Sequence, residues 1–346
     1  MKKIEVGASV YVGLKEYPLN KNLEYLDLLK DVGVSYVFIS AHIPEMNSDF
    51  MIELNQVLEY AKKIGLRMVV DISKKMYDMV SLSEIYALRL DYGFSNEDIV
   101  LLYNEGKFKL EFNASSITKE RLMELASLGV DLGDVRLSHN FYPKKYTGLD
   151  REVVRGKNEE FMALGVSTNI FIPSSNQKRP PMYEGLPTIE EHRFMDLDAI
   201  LSEMKSLNVS GVIFSDSYAS KCELEKAINF DYDTAVIPLR LFGGVLSEEL
   251  ELIEKLHHNR IDATSYFVRS SVRSQNVINK HNTIQRKAGY VTIDNVLMKR
   301  YMGEVCIMLK DLEEDERVNV IGEALCPIET LKTIGPGRSF KFKIVE

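Results

Sequence analysis

Short β-branched runs alternate with longer amphipathic segments from the first residues to about residue 228, and this alternation constrains the fold more than any other feature. The runs predict strands at 4–12, 35–42, 67–73, 87–94, 108–115, 134–141, 167–173 and 211–217. Eight β-then-α units in succession are typical of a closed parallel barrel. A doubly wound open sheet is the alternative, but it usually carries GxGxxG after its first strand, and GASVYVGLKEY lacks that motif. We therefore predict an α/β chain with an N-terminal (β/α)8 TIM barrel.

The sequence pattern changes after about residue 230. LSEELELIEKLHHNRI predicts one further helix, with His257 and His258 as partners of its C-terminal dipole. Strand-like runs follow it: ATSYFVRSS, YVTIDNV, EVCIMLKD, VNVIGEAL and SFKFKIVE. Strands in a row without intervening helices indicate an antiparallel sheet or a small barrel. We predict two domains, at 1–230 and 231–346.

Charge, hydropathy and cysteine content exclude several classes of protein. The net charge of -8 gives no general attraction to nucleic acid or to anionic membranes. The N-terminus lacks the apolar core of a signal peptide, and no run approaches the ~18 apolar residues of a membrane span. The three cysteines form neither a disulfide framework nor a metal motif. We expect a cytoplasmic protein with no metal and no cofactor.

The active site of an α/β barrel lies at the carboxyl ends of its strands. That rule selects acids, amides and histidines without any further information: His42, Asp71, Asp91, Asn113, His139, Asn140 and Asp216. The alternation partner of His139 is the apolar Leu137, so a core position facing the helices stays open for this histidine. Glu111 is expected between Arg89 and Arg136 on neighbouring strands, as a buried structural carboxylate.

Asp71 and Asp91 form the most informative pair. If their strands run in matching register, the two carboxylates lie about 5–6 Å apart, because neighbouring strands are about 4.8 Å apart. That spacing suits a retaining glycosidase or a divalent-cation site. The alternative for each aspartate is a structural one, in which backbone amides or an arginine satisfy the carboxylate.

Two long loops add charged and aromatic groups at the same predicted rim. The loop at 174–193 carries Lys178, Arg179 and Glu184, of which Glu184 is a reserve catalytic acid. The loop after the sixth strand carries Tyr142 and several cations. Basic side chains on two rim loops of an acidic chain indicate an anionic substrate, and the second domain adds Arg269 and Arg273.

Several motifs, in this order, resemble the 6-phospho-N-acetylmuramidase family: LRLDYGF, NASSIT, HNFYPKKYTGLD, YEGLPTIEEHR, LFGGVLSEEL, VRSS, GYVTIDN and KRYMGEV. The resemblance spans nearly the whole chain. It implies a TIM barrel followed by a cyclophilin-like β-barrel. It also implies an exo-glycosidase of peptidoglycan recycling, which cuts N-acetylmuramic acid 6-phosphate–N-acetylglucosamine in the cytoplasm.

The working hypothesis makes Asp71, Asp91 and Glu184 the catalytic carboxyls, with the drier one as acid. The expected substrate contacts are Asn113, His139, Asn140, Tyr142, Asp216, Lys178, Arg179, Arg269 and Arg273. The expected partner is a phosphorylated amino-sugar disaccharide, and a homo-oligomer stays open. The alternatives are another phosphosugar enzyme, such as an aldolase or epimerase, and a non-catalytic carbohydrate-binding protein. A Schiff-base aldolase would need a lysine at a strand end, and Lys74 lies just beyond one.

Overall fold

Eight parallel strands close into a barrel in the N-terminal part of the chain, as predicted. The computed structural model of the protein describes residues 3–41, 49–77 and 85–345. In order around the ring, the strands are β1 (Glu5–Val10), β2 (Tyr36–Ser40), β3 (Met68–Ile72), β4 (Ala87–Leu90), β5 (Lys109–Asn113), β6 (Arg136–Ser138), β7 (Ser167–Ile172) and β8 (Gly211–Phe214). His42, which the sequence placed at the end of the second strand, lies outside the described residues.

A helix follows each strand. The helices are α1 (Leu19–Val32), α2 (Phe50–Lys63), α3 (Lys74–Tyr77), α4 (Asn96–Glu105), α5 (Lys119–Ser127), α6 (Arg151–Ala163), α7 (Leu197–Glu203) and α8 (Lys221–Asn229). Ser95 and Ser220 cap the N-termini of α4 and α8. Each serine side chain accepts the amide of the residue three positions later, and the acidic side chain of that residue accepts the amide of the serine.

Aromatic side chains fill much of the barrel interior. Tyr36, Phe38 and Phe171 belong to one buried cluster of strand residues. Gly7 makes room for Tyr36, because a Cβ at that glycine would lie 2.7 Å from the tyrosine ring. A larger residue at position 7 would therefore displace the ring.

Four charged residues lie directly opposite one another on β3 to β6. Asp71 is opposite Arg89, Arg89 is opposite Glu111, and Glu111 is opposite Arg136. The fully buried Glu111 pairs with Arg136 at 3.2 Å and lies 4.0 Å from Arg89 Nε. The expectation of a structural carboxylate between two arginines is confirmed.

The register contradicts the matched Asp71–Asp91 pair. Arg89, and not Asp91, is the residue opposite Asp71, so Asp91 lies two residues further along its strand direction. Sequence alternation gives the face of each residue correctly, but it does not give the offset between strands, which is set by the shear of the closed ring.

A second, mostly β unit follows the barrel. Contacts group Met195–Ser206 and Asp231–Glu346 together, apart from Met1–Phe194 and Leu207–Phe230. Its strands are β9 (Thr234–Leu241), β10 (His257–His258), β11 (Phe267–Arg273), β12 (Tyr290–Asp294), β13 (Glu304–Met308), β14 (Val318–Ala324) and β15 (Ser339–Val345), and its further helices are α9 (Ser247–Ile253) and α10 (Ile328–Lys332). The strands form one sheet in the order β10-β15-β9-β14-β12-β13-β11.

Helix α7 belongs to this second unit. Lys343 Nζ lies 2.6 Å from Asp198 Oδ2, and Ser202 Oγ accepts the Val236 amide at 2.7 Å. The segment Met195–Ser206 therefore belongs to the second unit, although the predicted boundary at residue 230 would leave it in the first. The boundary itself stays a prediction.

The predicted helix at 246–261 is too long. Helix α9 ends at Ile253, and the two histidines form the short strand β10. His257 is fully buried, its Nδ1 lies 2.9 Å from Ser270 Oγ, and burial lowers its pKa to about 4. His257 therefore meets the last turn of α9, at Leu252 and Ile253, as a neutral ring and not as a charged dipole partner, and His258 Nδ1 lies 3.0 Å from Ser339 Oγ instead.

No helix in the part of the chain that the structure describes combines the length and apolar character needed to cross a membrane.

Candidate active site

Asp71 lies near the carboxyl end of β3, where both of its oxygens accept hydrogen bonds. Arg89 Nη1 donates to Oδ1 at 2.5 Å, and Ser40 Oγ donates to Oδ2 at 3.1 Å. The residue is 8% exposed. A carboxylate held in this way by a guanidinium and a hydroxyl acts as an acceptor and has a fixed orientation.

Arg89 joins several residues of the candidate site, although sequence reasoning gave it only a scaffold role. Its Nη2 donates to Asn140 Oδ1 at 2.8 Å, and its Nε donates to Ser138 Oγ at 2.9 Å. Ser138 Oγ in turn donates to Glu111 at 2.5 Å. Asp71 and Asn140 are thus brought together through one buried arginine.

Asp91 follows β4 directly, and it is partly exposed. Its amide donates to the carbonyl of Ile72 at 3.0 Å, which continues the strand pairing by one residue. Because Asp91 shares a face with Arg89, its carboxyl lies on the same side of the strand as the Asp71 pair, one layer nearer the carboxyl ends.

Asn113 and His139 have structural contacts. The Oδ1 of Asn113 accepts the Ser115 amide at 3.0 Å. His139 is fully buried and its Nε2 lies 2.8 Å from Asn158 Oδ1 on α6, which means that it faces the helices. Burial lowers the pKa of His139 to about 4, so the ring is neutral near pH 7. This placement corrects the expectation that His139 contacts substrate.

An ion pair between the buried Arg193 and the partly buried Glu190, which the sequence did not predict, joins the two rim loops. Glu190 accepts the amides of Tyr146 at 2.8 Å and Gly148 at 2.7 Å. Arg193 donates to Glu190 and to the carbonyls of Tyr142 and Gly185 at 2.9 and 2.7 Å. Burial raises the pKa of Glu190, but Arg193 and the two amides outweigh it, and the pKa falls below its usual value.

Glu184 lies on this anchored pair of loops. Its Oε2 accepts the Lys145 amide at 3.2 Å, and its Oε1 lies 3.2 Å from Lys145 Nζ. The side chain is 27% exposed, so it can reach solvent or a ligand. Tyr142 follows the sixth strand on the neighbouring loop, where its amide donates to Pro187 at 3.0 Å.

Asp216 organises the start of the loop after β7. It is fully buried, and its oxygens accept the amides of Ser174 at 3.1 Å and Arg179 at 2.9 Å. Burial raises the pKa of Asp216, although these amides and Lys178 oppose the shift. The carboxylate holds the loop, and the expectation that it also contacts sugar hydroxyls stays a prediction. The Arg179 guanidinium lies 4.6 Å from the centre of the Tyr11 ring, and Lys178 is half-buried beside it in sequence.

An aromatic cluster lies beside the charged groups. Phe171 packs against Phe38 and Phe141 with ring centroids 5.0 and 5.1 Å apart, and Tyr11 meets Phe141 at 6.5 Å. Arg89 lies 6.0 Å from the centre of the Phe38 ring. These apolar neighbours strengthen the electrostatic interactions of the Asp71–Arg89 pair, because they exclude water from one side of it.

On the second unit, Arg269 and Arg273 share one buried carboxylate. Both donate to Glu304, which is 4% exposed, and the Arg273 Nη2–Oε2 distance is 2.6 Å. Their charge is therefore partly neutralised within the unit. Asp294 lies on the neighbouring strand β12, one residue beyond the Ile293–Val305 pair, as Glu304 does on β13.

Replacing Asp294 with asparagine should stabilise the protein above neutral pH. Burial, and then Glu304, raise the pKa of Asp294 from 3.8 to about 7. The folded state therefore holds this proton more tightly than the unfolded state, and stability falls as pH rises from about 4 to 7. We expect the variant to gain about 3 kcal/mol at pH 8 and little at pH 4 in urea denaturation. The exposed Glu314→Gln is the control, and an equal gain at both pH values would contradict the prediction.

The described residues contain no group of three or more histidine, cysteine, aspartate or glutamate side chains that could hold a metal ion.

Two family models match the chain. The N-terminal model of 6-phospho-N-acetylmuramidase matches residues 6–229, and the C-terminal model of the same family matches residues 237–343. The chain is similar to the solved structure of an uncharacterized B. cereus protein, with 25% identity, full coverage of both chains and a TM-score of 0.83. It is also similar to a conserved Enterococcus faecalis protein of unknown function, at 29% identity and a TM-score of 0.73, with 98% of this chain and 96% of the other covered. No curated protein matches it at a significant level.

Proposed function

Because the chain belongs to the 6-phospho-N-acetylmuramidase family, and is thereby a glycoside hydrolase, we propose that it cleaves N-acetylmuramic acid 6-phosphate–N-acetylglucosamine. The reaction would cut the β-1,4 bond from the non-reducing end and release the phosphorylated sugar. We place it in peptidoglycan recycling in the cytoplasm. The observation that carries this proposal is the set of Asp71, Arg89 and Asn140 at the carboxyl ends of the strands, beside two anchored loops that supply Glu184 and lysines.

Asp71 is the proposed charged group that stabilises or attacks the anomeric carbon. Both of its oxygens accept hydrogen bonds, so it offers negative charge and has no proton to give in this arrangement. Asp71 is also the most buried of the three candidate carboxyls. The sequence-based expectation that the most buried carboxyl is the acid therefore does not hold for Asp71, because both of its oxygens are already acceptors. A fixed carboxylate is suited to an oxocarbenium-like transition state.

Glu184 is the proposed acid, with Asp91 as the alternative. The acid gives its proton to the oxygen of the leaving N-acetylglucosamine as the bond to the anomeric carbon breaks. Water then supplies the hydroxyl on that carbon, and its proton returns to the acid. Glu184 lies on a rim loop and is partly exposed, so it can exchange a proton with solvent. Both of its oxygens meet Lys145 in this structure, and the role therefore requires the Lys145 side chain to move away while the carboxyl takes up its proton.

Substrate contacts remain proposals of the same kind. Asn113, Asn140 and Tyr142 would hold sugar hydroxyls or the acetamido group, since each follows or ends a barrel strand. Lys178 and Arg179 are the proposed partners of the 6-phosphate. Arg269 and Arg273 belong to the second unit, where both pair with Glu304, and their contact with the phosphate or the lactyl carboxylate stays a prediction.

The test is turnover of the disaccharide with and without its 6-phosphate. We expect kcat/KM to be about a hundredfold lower without the phosphate, which is the loss of one or two charge-assisted hydrogen bonds. Lys178→Met should reduce the ratio of kcat/KM with the phosphate to kcat/KM without it. Lys63 is an exposed lysine at the end of α2, and Lys63→Met should leave that ratio unchanged. Equal rates on both sugars would reject a phosphosugar substrate.

A further inference from the structure

Two exposed aromatic rings stand on the anchored rim loops. Tyr146 is 82% exposed and Phe194 is 62% exposed, and their ring centroids are 6.4 Å apart with an angle of 32° between the planes. Aromatic side chains of this size are normally withdrawn from water, since exposure of their apolar faces is unfavourable. A neighbouring pair of exposed rings therefore indicates a binding surface for a ligand or a partner molecule.

The backbone beneath Tyr146 is held firmly, whereas its ring projects into water. Glu190 accepts the amides of Tyr146 and Gly148, and Arg193, whose side chain is 1% exposed, pairs with Glu190. Gly148 fits closely against the acid, because a Cβ there would lie 2.6 Å from Glu190 Oε2. The ring is thus presented by a rigid support.

Tyr146 also has an unfavourable backbone conformation. Its φ is 64°, in the left-handed region that bulky side chains rarely occupy. Glycine or asparagine would adopt this conformation at lower cost. A tyrosine that is strained and 82% exposed buries little surface on folding, and a ligand would explain why its ring is kept there.

The position of the ring selects the occupant. The amide of the preceding residue, Lys145, donates to Glu184 Oε2 at 3.2 Å, which places Tyr146 beside the proposed acid. That acid must face the oxygen of the leaving sugar. The charged groups under the rings, Glu190 and Arg193, already neutralise each other. Lys145 pairs with Glu184, and the exposed Lys144 precedes Tyr146 by two residues, so cations border the rings. The rings themselves offer apolar faces, which suit the C–H face of a pyranose, and the uncharged leaving sugar is the one that lies on the acid's side of the bond.

We propose that Tyr146 and Phe194 form a stacking platform for the neutral leaving sugar; this inference rests on the proposed function and assigns its leaving-group subsite. The platform would bind the N-acetylglucosamine ring by contact with its C–H face. It would favour disaccharides over substrates that lack a second ring.

The experiment compares two substrates and two variants. Tyr146→Asn keeps the left-handed backbone and removes the ring, so its melting temperature should equal or exceed that of the wild type. We expect its KM for the phosphorylated disaccharide to rise about tenfold. Its KM for the fluoride of N-acetylmuramic acid 6-phosphate, which has no second sugar, should be unchanged. Tyr146→Phe should behave as wild type on both.

The controls separate the possible outcomes. Leu101→Ala removes an exposed apolar side chain from α4 and should change neither KM. An unchanged disaccharide KM in Tyr146→Asn overturns the platform, as does an equal rise for both substrates. A changed oligomeric state with unchanged KM would assign the rings to a contact between copies and also overturn it. Failure of the wild type to hydrolyse either phosphorylated substrate would instead reject the proposed function.

Discussion

Replacing Asp71 with asparagine is expected to lower kcat for the phosphorylated disaccharide about a thousandfold, with little change in KM. The amide has nearly the shape of the carboxylate. Its oxygen can still accept from Arg89, which lies 2.5 Å from Oδ1 in the native site, and its NH2 group can donate to Ser40 Oγ, which lies 3.1 Å from Oδ2. What disappears is the negative charge that the transition state requires, and removal of one preorganised electrostatic group typically costs about 10²–10³-fold in rate.

The matched control for this variant is Ser40→Ala. It removes one hydrogen bond to Asp71 and keeps the charge, so we expect a loss of less than about tenfold. Circular dichroism and urea denaturation of both variants show whether the barrel is intact. Activity of Asp71→Asn within tenfold of the wild type would mean that the Asp71–Arg89 pair only supports the barrel.

The faces of the barrel strands could be predicted from the sequence, whereas the pairing between strands could not. Alternation placed Glu111 on the same inward layer as Arg89 and Arg136, and the structure has these contacts. The same reasoning set Asp71 beside Asp91, and the true neighbour of Asp71 is Arg89. Side-chain period is local information, but register depends on how all eight strands close.

The loop contacts were beyond sequence reasoning for a different reason. Glu190 and Arg193 lie in the motif YEGLPTIEEHR, which served only to identify the family. Their partners are backbone atoms of the preceding loop, about 40 residues earlier in the chain. Backbone amides carry no sequence signal. The one available clue was Gly148, whose missing side chain lets Glu190 approach the chain.

Strand β9 is not among the strands predicted from the sequence. Its run TAVIPLRL contains a proline, which lacks the amide that a central strand needs, and the pattern is therefore weak evidence for a strand. The structure places β9 between β15 and β14, and β14 pairs only with Leu239, Arg240 and Leu241. Pro238 lies just before these three residues and therefore removes no bond to β14.

Glu184→Gln should lose about a thousandfold in kcat on the disaccharide and little on a substrate that needs no protonation. General acid catalysis by a positioned carboxyl contributes about 10²–10⁴-fold, and an activated aryl leaving group makes it unnecessary. On the 2,4-dinitrophenyl glycoside of N-acetylmuramic acid 6-phosphate, we therefore expect activity within about tenfold of the wild type. Asp91→Asn, measured beside it, should show no such selective recovery. The reverse pattern, with recovery only in Asp91→Asn, would assign the acid to Asp91 and leave Glu184 as the partner of Lys145.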